Sequence, residues 1–99
     1  MYRFVRSVRV EPGRQVEALA WAKEIAEHFG RRYNKDLRVM VEVFGEAGSL
    51  YWVSDHDDLA AIERLQGQMA QDQELSAIVN RGNELIVGGT LHDRLLRHA

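Results

Sequence analysis

Apolar and polar residues alternate from the start of the chain. In residues 2–10, YRFVRSVRV, Tyr2, Phe4, Val8 and Val10 share one face with Arg6, and Val5 shares the other with Arg3, Ser7 and Arg9. Period-two spacing rich in Val and aromatics predicts a strand. Apolar residues stand on both sides, so neither face is expected to lie wholly in water. Glu11-Pro12-Gly13 ends the strand with a strong turn signal. The spacing then changes to three and four: Val16, Leu19, Ala20, Ala26 and Phe29, widened by Trp21 and Ile25, predict a helix from about Arg14 to Arg32. Gly30 and Asn34 are its candidate stop residues.

Residues 37–45, LRVMVEVFG, alternate again, with Leu37, Val39, Val41 and Val43 against Arg38, Met40, Glu42 and Phe44. The first set is aliphatic and belongs against helices. The second is too apolar for a face meant only for water. Glu46-Ala47-Gly48 turns the chain into SLYWVS at 49–54, which predicts a hairpin. A helix follows from roughly Asp57 to Met69 on the stripe Leu59, Ile62, Leu65 and Met69. Gln71-Asp72 interrupts it, and a shorter helix runs through Leu75, Ile78 and Val79 to Gly82. Residues 84–92, ELIVGGTLH, read as the last strand, with Leu85, Val87 and Leu91 opposite Ile86, Thr90 and His92. Gly88-Gly89 inside it marks a bulge or a close backbone approach, and would also leave space for a ligand. The tail DRLLRHA is amphipathic and too short to assign.

The order β-α-β-β-α-β, with its second helix split, predicts an α+β ferredoxin-like fold over a single domain, residues 1–99: a four-stranded antiparallel sheet with helices on one face. Helices cover only one side of such a sheet. The apolar residues left on the other side predict a homodimer joined sheet to sheet, with Met40, Glu42, Phe44 and Ile86 at the interface.

Composition narrows the function classes. Hydrophobic residues make up 45% and charged residues 28%, too apolar for disorder. Thirteen basic against fifteen acidic residues leave a formal charge of -2, without the basic excess that nucleic-acid binding needs. The absence of cysteine excludes disulfides, thiolate metal sites and a cysteine nucleophile within the chain. MYRFVRSVRV carries no signal-peptide apolar block, and no apolar run approaches a membrane span, so a cytoplasmic protein without membrane or nucleic-acid partners is expected.

The densest chemistry is Asp55-His56-Asp57-Asp58, after Tyr51-Trp52-Val53. Ser54 or Asp55 stands where a helix N-cap is needed, and acids in a first turn meet the positive end of the macrodipole. Adjacent residues point in different directions, and no second histidine stands at ligand spacing, so no metal is expected here. Trp21, at helical spacing with Ile25 and Phe29, reads first as core or interface. Trp52 divides between core and pocket wall. His28, beside Arg31 and Arg32, reads as a helix C-terminal cation. Glu42 and Arg6 could form a partly buried pair across strands. No Gly-rich phosphate loop, nucleophile elbow or HExxH motif is present.

The run Arg6-Ser7-Val8-Arg9-Val10-Glu11-Pro12-Gly13 resembles the "R-T-Y-x-V-x-P-G" opening of NIPSNAP-type and antibiotic-biosynthesis-monooxygenase-type domains in the dimeric α+β barrel superfamily. Tyr51-Trp52-Val53 before a helix and Asp72-Gln73-Glu74-Leu75, similar to the families' "D-P-E" step, extend the resemblance over the whole chain. It implies two sheets closed face to face, with ligands between sheet and helices. Such families include cofactor-independent monooxygenases, haem-degrading monooxygenases, lactone isomerases and domains without known activity. The haem-degrading type uses an asparagine on strand one, a tryptophan on strand three and a histidine on the short helix. Trp52 matches the tryptophan, but Ser7 is the nearest polar residue on strand one and residues 72–80 contain no histidine. Haem degradation is therefore not expected, nor is any cofactor. Two functions stay open: an enzyme acting on a small aromatic or quinone-like metabolite, and a noncatalytic dimeric module for ligand binding or assembly. For the ligand, the candidate residues are Arg6, Ser7, Trp21, His28 and Trp52.

Overall fold

A computed structural model describes residues 1–99. Strand β1 (Tyr2–Arg9) leads through the Pro12-Gly13 turn into helix α1 (Gln15–Tyr33). Strands β2 (Arg38–Val41) and β3 (Ser49–His56) form the hairpin. Helices α2 (Leu59–Ala70) and α3 (Gln73–Arg81), a 3-10 turn at Asn83–Leu85 and strand β4 (His92–Arg97) complete the chain. The sheet order is β2-β3-β1-β4, and every neighbouring pair is antiparallel. This is the predicted ferredoxin-like α+β architecture. No helix is long and apolar enough to cross a membrane.

Register decides what the helices cover. Arg6 lies opposite Trp52 and Asp93, Phe4 opposite Ser54 and Leu95, and Val8 opposite Leu50. Directly opposed residues share a face, and this is the face that α1 packs on through Ala18, Trp21, Ala22, Ile25 and Phe29. Ala18 and Ala22 have no exposed surface and let the helix approach the sheet closely. The outer face carries Arg3, Val5, Ser7 and Arg9 of β1 with Tyr51, Val53 and Asp55 of β3, Arg38 and Met40 of β2, and His92, Arg94 and Leu96 of β4.

Several expectations need correction. The buried stripe of α1 is Ala18-Trp21-Ala22-Ile25-Phe29, and Val16, expected inside, is 85% exposed. Two neighbouring stripes fit helical spacing here, and the one with Trp21, Ile25 and Phe29 removes more apolar area from water. Strand β2 stops at Val41, so Val41 and Val43 are exposed while Leu37 and Val39 pack inward as expected. Asn34 closes α1 in the left-handed conformation, φ 50°, and Gly30 lies inside the helix.

The largest difference is at the C-terminus. Residues 84–92 do not form the last strand; the tail does. Ile86 makes one bridge to Val10, and pairing resumes only at Ser7 with His92. Three steps along β1 are thus matched by six on the other side, and Gly89, at φ 80°, turns the extra residues out. Thr90 replaces the missing ladder: its hydroxyl accepts from Arg9 N at 3.1 Å and donates to Val87 O at 2.6 Å. The Gly88-Gly89 bulge is real and divides the segment. Ile86 in consequence packs against the core beneath the helices, not on the outer face with Met40.

Candidate functional site

Between sheet and helices lies a cavity of about 220 Å³. Its sheet wall is Phe4, Arg6, Val8, Trp52, Ser54 and His56, and helix residues including Trp21, Ile62, Leu65 and Met69 close it from above. The two tryptophans meet edge to face, centroids 5.6 Å apart. Each indole N–H is already engaged: Trp21 donates to Ile78 O at 2.8 Å and Trp52 to Ala22 O at 3.2 Å. Both rings are thereby fixed, and what they offer the cavity is apolar π surface. Gly82 makes room for Trp21, since a Cβ there would sit 2.0 Å from the ring.

Arg6 lines the cavity, but not beside Glu42. Its guanidinium takes both oxygens of Asp93 at 2.7 and 2.8 Å and lies over the Phe4 ring, 5.7 Å from its centroid. The Asp93 hydrogen bond holds the Arg6 pKa above its ordinary value, against burial. Glu42 lies across the sheet and accepts from the Tyr51 hydroxyl on the outer face. The cavity's one cation is therefore neutralised by a strand whose position the sequence did not reveal.

The remaining expectations divide. Trp21, Trp52 and Arg6 converge on the cavity, whereas Ser7 and His28 do not. Ser7 has odd parity on β1 and shares the outer face with Tyr51. His28 is 1% exposed between α1 and α3, with Nε2 2.7 Å from Asp72 Oδ2 and Nδ1 without a partner. Asp72 also accepts from Tyr33 Oη and caps α3 through Leu75 N at 3.0 Å. Burial would raise the Asp72 pKa, but the hydrogen bonds from Tyr33, His28 and Leu75 outweigh it and hold the carboxyl well below the usual carboxylate range. His28 thus ties two helices together; it is not an exposed dipole cation.

Two cavity residues escaped the sequence reading. Strand β3 runs on to His56, so Leu50, Trp52, Ser54 and His56 all face the helices. The N-cap is Asp58, accepting from Ala61 N at 2.8 Å, rather than Ser54 or Asp55. Ser54 Oγ lies 2.8 Å from His56 Nε2, and both side chains are buried. Burial, then the nearby Lys35 charge, lowers the His56 pKa against Asp55 and Asp57 and keeps the ring neutral. Asp55 points the other way, onto Arg3 and Arg38, whose hydrogen bonds hold its carboxyl well below the usual range. The signal was period-two continuation through 56, obscured by the acids around it. No three His, Cys, Asp or Glu side chains gather as a metal cluster.

Solved structures show where this arrangement recurs. A NIPSNAP domain protein from Burkholderia xenovorans superimposes with a TM-score of 0.84 at 19% identity, over 100% of this chain and 95% of that one. The chain shares the fold of that protein. A NIPSNAP family protein from Agrobacterium tumefaciens gives 0.81 at 20% identity, over 99% and 92% of the two chains. An antibiotic biosynthesis monooxygenase gives 0.73 at 14%, over 100% and 99%. No protein-family model matches the chain, and no curated protein does. At these identities the likeness is one of fold, and residue roles must come from the cavity itself.

Proposed function

We propose that the protein binds a small, uncharged aromatic or quinone-like metabolite in the cavity between sheet and helices, in the manner of a cofactor-independent monooxygenase-like domain. The observation that carries this is the cavity's lining: two fixed tryptophans and aliphatic side chains, with the only cation, Arg6, already paired to Asp93. At about 220 Å³ it is smaller than the roughly 300–1,000 Å³ typical of drug-sized ligands, which favours one or two rings. The fold likeness to an antibiotic biosynthesis monooxygenase supports an organic occupant. Titration of intrinsic tryptophan fluorescence with quinones, phenols and neutral aromatics tests the reading. Saturable quenching that weakens about tenfold in Trp52→Phe is expected, on the scale of a lost aromatic contact. No saturable binder, or one indifferent to the substitution, would remove it.

A noncatalytic module is the second reading. It is favoured by how many of the cavity's polar groups are already engaged: Arg6 is held by Asp93, and both indole N–H groups are held by backbone carbonyls. In either case we propose that the working unit is a homodimer.

A further inference from the structure

Ser54 and His56 are buried polar residues that hold no two elements together. They are 4% and 6% exposed, and each is the other's only side-chain hydrogen-bond partner. The contact joins positions two apart on one strand, so it closes no loop and adds no tertiary link. Other polar side chains here do more: Asp72 joins α1 to α3, Arg6 joins β1 to β4, and Thr90 pins the bulge. Withdrawing a hydroxyl and an imidazole from water carries a desolvation cost that two aliphatic side chains packing the same wall would not. The pair also keeps unused capacity, since Nδ1 of His56 has no protein partner.

Resting on the reading of the cavity as a ligand site, we propose that Ser54 and His56 form a head-group subsite for one neutral oxygen, hydroxyl or ketone, on an otherwise apolar ring system. The chemistry of the pair explains why either oxygen fits. If Nε2–H donates to Ser54 Oγ, Nδ1 is an acceptor and takes a ligand hydroxyl. If the Ser54 hydroxyl donates to Nε2, the proton sits on Nδ1, which then donates to a ketone. Both arrangements leave the ring uncharged, as its lowered pKa requires. A carboxylate is refused, because no unpaired cation lines the cavity: Arg6 is bound by Asp93, and Lys35 donates outside it to Asp55 O.

Equilibrium dialysis of the purified protein against 1-naphthol, 1-tetralone, naphthalene and 1-naphthoate tests this with four bodies of similar size. Naphthol and tetralone are expected to bind about tenfold more tightly than naphthalene, the scale of one net hydrogen bond, and naphthoate more weakly than any. His56→Leu should bring naphthol and tetralone to the naphthalene level while naphthalene itself is retained. Ser54→Ala, which leaves the imidazole but frees its orientation, should shrink the same advantage and serves if the leucine variant does not fold. Naphthalene binding as tightly as naphthol, naphthoate binding more tightly than naphthol, or an advantage that survives both substitutions would overturn the subsite while leaving the cavity reading intact. Saturable binding by none of the four would overturn both.

Discussion

Asp72 serves as cap, acceptor and helix tie at once, and its consequences appear in the pH dependence of stability. Its carboxyl, like that of Asp55, is held below the ordinary range, so the native state binds fewer protons than the unfolded chain in acid. The stabilisation is complete above the unfolded carboxylate pKa of about 4 and is lost as pH falls toward the folded value. Asp72→Asn should lower stability at neutral pH by about 1–3 kcal/mol, because His28 and the α3 N-terminus lose a charged acceptor while remaining buried. It should also flatten the acid limb between pH 5 and 2, on the order set by one carboxylate. Urea unfolding across that range checks both, and an unchanged acid limb would show that Asp72 is not the group responsible. Residue by residue, the sequence disclosed what periodicity could carry. Trp52 and Trp21 were legible as interior aromatics. His56 was not, because a histidine among three acids resembles a helix start until its strand parity is known. His28 was misplaced because the acceptor that buries it, Asp72, is 44 positions away.

Between elements, the informative contrast is β4. Helices, hairpin and the break at Gln71-Asp72 were visible because spacing and turn chemistry agree there. Residues 84–92 are more apolar and more β-prone than HDRLLR, yet the less apolar segment forms the strand. Local preference loses because the 3-10 turn at Asn83–Leu85 and the Gly89 turn consume the apolar run, and β1 still has unpaired groups from Tyr2 to Ser7. Edge pairing then falls to the next residues, whose alternation puts Leu95 and Asp93 on the helix side and Arg94 and Leu96 outside. One side chain anchors the turn that leads into this pairing. Thr90→Val preserves shape but deletes the hydroxyl that serves Arg9 N and Val87 O, and should destabilise by about 0.5–1.5 kcal/mol, the net worth of a hydrogen bond that water can partly replace at this exposed position. Amide hydrogen exchange should accelerate in β4 and at Arg9 ahead of α1. Uniform acceleration over the whole molecule would mean that β4 does not open separately.

At the scale of the molecule, the exposed surface is larger than the mass requires. A compact monomer of 11.4 kDa is expected to expose about 5,800 Å², whereas this chain exposes 6668 Å². The excess, roughly 900 Å², is close to the ~800 Å² per partner buried in a standard interface. Part of it lies on the outer sheet face and its rim, where Met40, Phe44 and Leu96 are exposed, Phe44 to 89%. The charges there are largely matched within the chain: Arg3 and Arg38 share Asp55, Arg9 meets Glu46, and Glu42 accepts from Tyr51. Paired charges are cheaper to cover than free ones, and a two-fold copy would bring the same mixed surface against itself. Ile86 is engaged in the core and adds nothing to this face, which β2, its hairpin and β4 form. Sedimentation equilibrium at micromolar concentration is expected to give twice the chain mass. Met40→Glu and Phe44→Glu should shift it toward monomer, each placing an unmatched charge in an apolar contact, while Gln68→Glu on the exposed surface of α2 should not. A folded monomer in the unsubstituted protein would show that this face stands in water and that the homodimer is wrong.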